Sequence, residues 1–290
     1  MQNEKRNLLF CCKKSQWIGF FLVLPSFWGL LIFYLIPFFG SFYYTFTMGV
    51  ANPHFVGFSN FRELLHNPLF LQAVKNTALF LMLGLPLLIG TALVISVIAA
   101  KQPFRWQRWA MLLPMAVPSA SLALGWQSVW GTEGIIGQFL GMPETDFLRG
   151  NFAFLLMILL YLLKNVGYLS IIITSAIKAQ PSEYREGYLL ESSSETGYIR
   201  RILLPLLSPI LLFTVIMAVM NYFLLFRDIY TLYGDDPPRQ VYMLQHFMNS
   251  SFYNLNYQKL SAAAFLTILF LGGLTAGTLK MGRKAAHYVD

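Results

Sequence analysis

Charge is scarce in this chain. Only 12% of its 290 residues are Asp, Glu, Lys or Arg, about half the share of an ordinary soluble domain. A soluble globule of this size could not cover its surface with so few charges. Cysteine is scarcer still. Cys11 and Cys12 stand side by side, a spacing that does not readily meet disulfide geometry. Bulky Phe10 speaks against a lipoprotein-type role for Cys11, which leaves two juxtamembrane thiols without a function. His54, His66, His246 and His287 are scattered, and no Cys/His spacing suits a metal. A G-x-x-x-x-G-K-[ST] phosphate loop is missing, so the chain is not itself an ATPase of that type. Neither paired carboxylates nor a Ser/His/Asp set is placed together. The sequence therefore predicts no catalytic residue, no metal and no enzyme activity of the chain alone.

Apolar residues are abundant. Hydrophobic residues make up 56% of the chain and aromatics 16%, with 26 Phe, and mean hydropathy is +0.55. That excludes disorder and points to an all-α, polytopic membrane protein. Six segments are long enough to span: roughly 17–40, 76–100, 107–129, 152–178, 204–226 and 260–281. None alternates strictly, which argues against a β-barrel. Pro25, Pro86, Pro114 and Pro118 fall inside them, tolerable in a helical bundle. The first run, Trp17 to Phe39, is too long for a cleaved signal and lacks a small-residue cleavage site, so it is expected to stay. No internal repeat is visible, and one domain is expected over 1–290.

The net charge of +8 lies between the apolar segments, so it reads as membrane orientation and not as nucleic-acid binding. Lys5, Arg6, Lys13 and Lys14 sit in the tail 1–16, Lys101, Arg105 and Arg108 after the second segment, Lys178, Arg185, Arg200 and Arg201 after the fourth, and Lys280, Arg283 and Lys284 at the end. The alternate loops, 40–75, 130–151 and 227–259, hold only Arg62, Lys75, Arg149, Arg227, Arg239 and Lys259. Both termini are thus expected in the cytoplasm. A short helix is expected near Gln240 to Asn249 in the last outer loop.

The longest inner loop runs from Gln180 to about 204. Ser182 is the predicted N-cap of a short helix, with Glu183 and Glu186 in its first turn. Tyr184, Tyr188 and Leu189 form an apolar stripe. Ser192 with Glu195 three residues on reads as a capping box opening a second helix. The stripe has two readings, lying on lipid or docking into a partner's groove; the four acids of the loop weigh against anionic lipid.

This loop resembles the EAA loop of membrane-spanning permease subunits of binding-protein-dependent ABC importers, in the maltose-type branch for sugars. The pattern E-A-A, three residues, G, about nine residues, I-x-L-P is met by Glu186-Gly187-Tyr188, Ser192 and Ile202-Leu203-Leu204-Pro205. Glu191 fills the acidic place before the glycine position. Gly187-Tyr188 for two alanines and Ser192 for glycine are departures. Further family-like stretches follow in order: Leu24-Pro25, Tyr34 to Pro37, Phe55 to Phe61, Asn76-Thr77, Leu113-Pro114 with Pro118, Lys164 to Gly167 and Gly234 to Pro237.

The resemblance implies a type I ABC importer permease fold of six helices in a bacterial or archaeal plasma (inner) membrane. It implies a second, usually different permease subunit, an ABC ATPase dimer that uses ATP, an extracytoplasmic solute-binding protein meeting the outer loops, and a sugar or oligosaccharide substrate. The chain itself would bind no cofactor. Glu186, Gly187, Tyr188, Glu191, Ser192, Ile202 and Pro205 are the implied ATPase-coupling residues. Polar residues inside the membrane are the substrate-path candidates: Lys164, Asn165 and Asn221, with the aromatic Tyr222 beside the last. Each has a plainer reading, interhelical hydrogen bonding for the asparagines and snorkelling or pairing for Lys164. Arg227 with Asp228 reads as structural, Trp126 and Trp130 as interfacial anchors. Gly273 and Gly277 permit close helix contact or simple packing. Two rival functions stand: a secondary carrier working without ATP, and a non-transporting scaffold.

Overall fold

A computed structural model describes residues 21–49, 52–101, 106–192 and 194–286. The predicted tail 1–16, with its two cysteines, lies outside them. In chain order the elements are α1 (Phe21–Thr45), a two-residue antiparallel ribbon of β1 (Thr47–Met48) and β2 (His54–Phe55), α2 (Ser59–Leu65), α3 (Pro68–Ala100), α4 (Trp106–Ala116), α5 (Ser119–Trp130), α6 (Ile135–Phe139), α7 (Ala153–Lys178) and α8 (Ser182–Glu191). Then come α9 (Glu195–Tyr233), a 3-10 turn at Arg239–Val241, α10 (Leu244–Tyr253) and α11 (Tyr257–Ala286).

Among the described residues five helices are long and apolar enough to cross a membrane: α1, α3, α7, α9 and α11. The predicted third span is not one continuous helix. It breaks at Val117-Pro118 into α4 and α5, of 11 and 12 residues. The residue before a proline is disfavoured in the α region, and Pro118 itself is extended (φ −59°, ψ 144°). The second span starts at Pro68, well before the predicted 76. Asn67 Oδ1 accepts from the N–H groups of Leu69 (2.9 Å) and Phe70 (3.2 Å), and Pro68 occupies the first helical position, where its missing N–H costs nothing. A reading keyed to apolar runs passes over that polar start.

The fifth span is longer at both ends than the predicted 204–226. It continues unbroken from the inner loop and ends only at Gly234, whose φ of +65° favours glycine. Arg227 and Asp228 therefore lie in the bundle and not in an outer loop. Prolines inside these helices are absorbed locally. A π turn at Leu31–Leu35 precedes Pro37 and another at Ile199–Leu203 precedes Pro205. The widened turns relieve the clash between a proline ring and the carbonyl four residues back.

The main core lies where α3, α7 and α9 meet, around Phe80, Leu88, Met157, Tyr161, Leu169 and Tyr222. Trp126 and Trp130, expected as interfacial anchors, are partly buried against this core. Gly167 lets α4 cross α7 closely: a Cβ there would lie 1.8 Å from the Met111 carbonyl oxygen. Gly273 and Gly277 of α11 face open space, so packing among the described residues does not use them.

A second, smaller core joins α2, the start of α3, α10 and the start of α11 through Leu64, Phe70, Leu244, Phe247 and Ala263. The outer-loop motif residues act here as clasps. Asn60 donates to the carbonyls of Thr45 (2.9 Å) and Thr47 (3.0 Å). Asn76 donates to those of Arg239 (2.7 Å) and Tyr242 (2.9 Å). The loops 40–75 and 227–259 thus share one end of the bundle. Lys101 and the 180–195 loop meet at another point, Lys101 Nζ lying 3.9 Å from Glu195. The helix in 227–259 is α10, four residues later than predicted. Pro238 holds the chain extended, and the Met243 N–H donates to His246 Nδ1 (3.1 Å) at the helix start.

His246 is buried between Phe226 and Tyr242. Burial pushes its pKa down to about 4. The folded state thus excludes a proton that the unfolded chain accepts near pH 6.5. Stability from this site is complete above about pH 6.5 and falls as pH drops toward 4. Between pH 7.5 and 5 the expected loss is about 2 kcal/mol. Thermal unfolding of the wild type and His246→Gln at both pH values checks this. The variant should lose most of the pH difference, and an unchanged difference would assign the acid sensitivity elsewhere.

Candidate functional site

Two places bring the predicted site residues together. The first is the inner loop. Ser182 is not an N-cap: α8 begins at it, and Pro181, extended and without a side-chain bond to the helix, stands in that position. Glu183 lies in the first turn and Glu186 beyond it. Ser192 does not open a capping box either. It ends α8, its N–H donating to the Tyr188 carbonyl (2.9 Å). Ser194 caps the next helix by accepting from the Gly197 N–H (3.1 Å). Glu195 then stands at the first helical position, too early to reach back in a capping box, and pairs with Arg185.

Both departures from the EAA pattern have a local explanation. Ser192 adopts φ −143° and ψ 121°, extended backbone open to any residue, so no glycine is required. Tyr188, in place of an alanine, folds back against Tyr198, ring centroids 6.2 Å apart. It fits because residue 197 is glycine: a Cβ there would lie 2.5 Å from the Tyr188 hydroxyl. The predicted stripe of Tyr184, Tyr188 and Leu189 is therefore not the free face. Tyr184 stays exposed but Tyr188 and Leu189 are half-buried, while Glu183, Glu186, Gly187 and Leu190 all face outward. These four recur at helical i, i+3, i+4, i+7 spacing. Leu190 is 89% exposed, and among the described residues nothing lies within 4 Å of a Cβ placed on Gly187. Glu191 and Pro205 are exposed, whereas Ile202 packs half-buried on the main core.

The second place is a cavity of about 230 Å³ between α7, α9 and the α4–α5 break. Lys164, Asn165 and Asn221 line it, together with Met115, Ser119, Leu224, Leu225, Arg227 and Asp228. Lys164 Nζ lies 2.7 Å from Asp228 Oδ2, the lysine side chain 17% exposed and the aspartate 3%. Asn165 donates to the Tyr161 carbonyl of its own helix (2.8 Å), not to another helix. The Asn221 amide nitrogen and Asp228 Oδ1 are buried without a hydrogen-bond partner among the described residues. Tyr222 does not belong to this site. Its hydroxyl donates to Thr77 Oγ1 (3.1 Å) and its ring packs 5.0 Å from that of Phe80.

Sequence reasoning named Asp228 only as structural, beside Arg227, and did not name Ser119. Asn221, Leu224, Leu225 and Asp228 share one helical face, and no breaker intervenes before Gly234. That spacing was the available signal for Asp228. Ser119 had no such signal, because its place depends on the break before it. Among the described residues no group of His, Cys, Asp or Glu is arranged to hold a metal.

Comparison with known proteins gives a consistent family. The family described as "Binding-protein-dependent transport system inner membrane component" matches residues 92–279. A probable ABC transporter permease protein, YesP of Bacillus subtilis, is 26% identical over 95% of this chain and 94% of its own length. The sn-glycerol-3-phosphate transport system permease protein UgpA of Rhizobium meliloti is 27% identical over 81% and 83%. The trehalose/maltose transport system permease protein MalF of Thermococcus litoralis is 24% identical over 92% and 94%. Among solved structures, a chain of a bacterial ABC transporter that imports the acidic polysaccharide alginate superposes with a TM-score of 0.79. It is 20% identical and covers 95% of this chain and 98% of its own, so the two share a fold. The outward-facing α8, the ordered motifs and this match agree: the chain is a multi-pass membrane protein and belongs to the binding-protein-dependent transport system inner membrane components.

Proposed function

We propose that this chain is one permease subunit of an ATP-driven carbohydrate importer, forming half of the translocation path beside a second permease. Its six spans comprise the five long helices and the broken α4–α5 pair, with both termini cytoplasmic. ATP is hydrolysed by a separate ABC ATPase dimer, which receives α8 in a cleft. A solute-binding protein delivers the sugar to the outer loops around α2 and α10. The observation that carries this reading is α8 itself. It is a ten-residue helix that leaves Glu183, Glu186, Gly187 and Leu190 exposed, with a bare glycine backbone that admits close approach.

Arg185 and Lys101, facing Glu195, tie α8 to the end of α3, so a push on α8 passes into the bundle. The cavity at Lys164, Asn165, Asn221 and Asp228 is the substrate path. Its buried, unpartnered polar atoms suit hydroxyl groups. Relatives whose names cite either sn-glycerol-3-phosphate or trehalose and maltose support the carbohydrate class.

Affinity purification of the tagged chain in mild detergent tests the assembly. A second permease, an ABC ATPase and a binding protein should co-purify; isolation of the chain alone under several gentle conditions would sink the reading. Leu190→Arg should cut ATPase recovery and transport about tenfold or more while leaving membrane insertion intact. Normal transport and ATPase binding in that variant would remove α8 from the coupling role.

A further inference from the structure

The named relatives divide between anionic and neutral solutes, so they leave the charge of this chain's substrate open. The cavity speaks to it. Three ionisable side chains line it, Lys164, Asp228 and Arg227. Lys164 and Asp228 neutralise one another at 2.7 Å. Arg227 is exposed and makes no side-chain hydrogen bond or ion pair among the described residues. The cavity therefore carries one cation in surplus. Arg227 lies six residues before the end of α9, about 9 Å along the axis, so it stands on the side of the cavity toward the outer loops. A guanidinium presents a planar fork that matches carboxylate and phosphate oxygens.

The rest of the cavity is built for hydroxyl groups. Asp228 Oδ1 is a buried acceptor and the Asn221 amide nitrogen a buried donor, both unpartnered among the described residues. Their residues are 3% and 9% exposed. A polyol satisfies both at once, one hydroxyl donating to Asp228 and another accepting from Asn221. An apolar guest would leave both orphaned, which is costly in a buried site.

Resting on the permease reading above, we propose that the cavity takes a polyhydroxylated solute bearing one anionic group, a uronate or a phosphate-bearing carbohydrate. Asp228 and Asn221 hold its hydroxyls, and Arg227 holds its anion. Arg227 is then a specificity-determining residue, while the Lys164–Asp228 pair stays neutral and orients the acceptor oxygen. A solute with the same hydroxyls and no charge fits the inner part of the cavity and leaves Arg227 idle.

The test uses the assembled complex, with second permease and ATPase, in lipid nanodiscs and without the binding protein, whose own selectivity would mask that of the path. Saturation-transfer NMR titrations compare two matched pairs: a glucuronate-terminated disaccharide with its methyl ester, and glycerol 3-phosphate with glycerol. In at least one pair the anion should bind about tenfold or more tighter than its neutral partner. Arg227→Gln should bring the anion down to the neutral level without weakening the neutral member, and Arg227→Lys should keep part of the preference. The pair that discriminates tells carboxylate from phosphate. Equal affinities in both pairs, or no saturable signal from any member, would overturn the proposal. So would an Arg227→Gln variant that keeps the anion preference and instead weakens assembly with the second permease, since Arg227 would then pair across the subunit interface. Failure of the ATPase to co-purify is read before any titration and counts against the permease reading itself.

Discussion

Gly167→Ala will drive α4 off α7. The added methyl would stand 1.8 Å from the Met111 carbonyl oxygen and 2.9 Å from its Cβ. The obstacle is backbone in the middle of a helix, so no rotamer change relieves it. Overpacking a well-filled contact costs about 1–3 kcal/mol when side chains can give way, and here the upper end or more is expected. α4 leads directly into the Pro118 break, and the break sets Met115 and Ser119 against the cavity. The variant should therefore lose transport about tenfold or more and unfold several degrees lower in detergent. Gly187→Ala is the control, because its position faces open space and stability should hold within about 0.5 kcal/mol. A Gly167→Ala variant with wild-type melting and uptake would show that α4 does not cross here.

Apolar runs are the most legible part of this fold. Length and hydropathy alone locate α1, α3, α7, α9 and α11, since lipid leaves a long segment little choice but helix. Their polar ends are harder to read. Asn67-Pro68 starts α3 outside its apolar run, and Gly234 ends α9 beyond the predicted 226. Those signals are ordinary caps, but a reading centred on hydropathy gives them no weight. The break in the third span was not foreseen, for a different reason. Bundles often tolerate a proline inside a helix, as at Pro86 and Pro209, and nothing local distinguishes Pro118, where the helix breaks, from those that it absorbs. Neighbouring helices decide that.

The inner loop was legible in register but not in facing. The resemblance set Glu186, Ser192 and Pro205 in register with the EAA pattern, yet of the suggested stripe Tyr188 and Leu189 turn inward while Tyr184 stays exposed. Tyr188 lies against Tyr198 because Gly197 leaves room, a tertiary fit between residues nine apart. Ser192 and Ser194 are equally plausible caps by composition; only Ser194 points its hydroxyl at a free N–H. The cavity was half legible. Lys164, Asn165 and Asn221 stand out as polar residues in apolar segments. Asp228 was read as structural, because the predicted span ended before it, and Tyr222 was included for adjacency to Asn221 although the next residue on a helix points about 100° away.

Asp228→Ala will be the most damaging change in the cavity. It strips Lys164 of its partner and leaves an ammonium, 17% exposed, between α7 and α9. Removing one member of a buried ion pair typically costs about 3–5 kcal/mol, because the other charge stays behind. The double variant Lys164→Met with Asp228→Leu removes both charges at similar volume, and such replacements are often neutral or stabilising. Stability and transport should therefore part company. The single variant should assemble poorly and melt low. The double variant should assemble and melt near the wild type, yet transport at least tenfold more slowly, since the acceptor Asp228 Oδ1 is gone from the path. Melting curves and uptake by the reconstituted complex separate the two quantities. Full transport by the double variant would make the pair a structural clasp with no part in the path. A double variant as unstable as the single one would mean that Lys164 and Asp228 do not depend on each other, against the 2.7 Å contact.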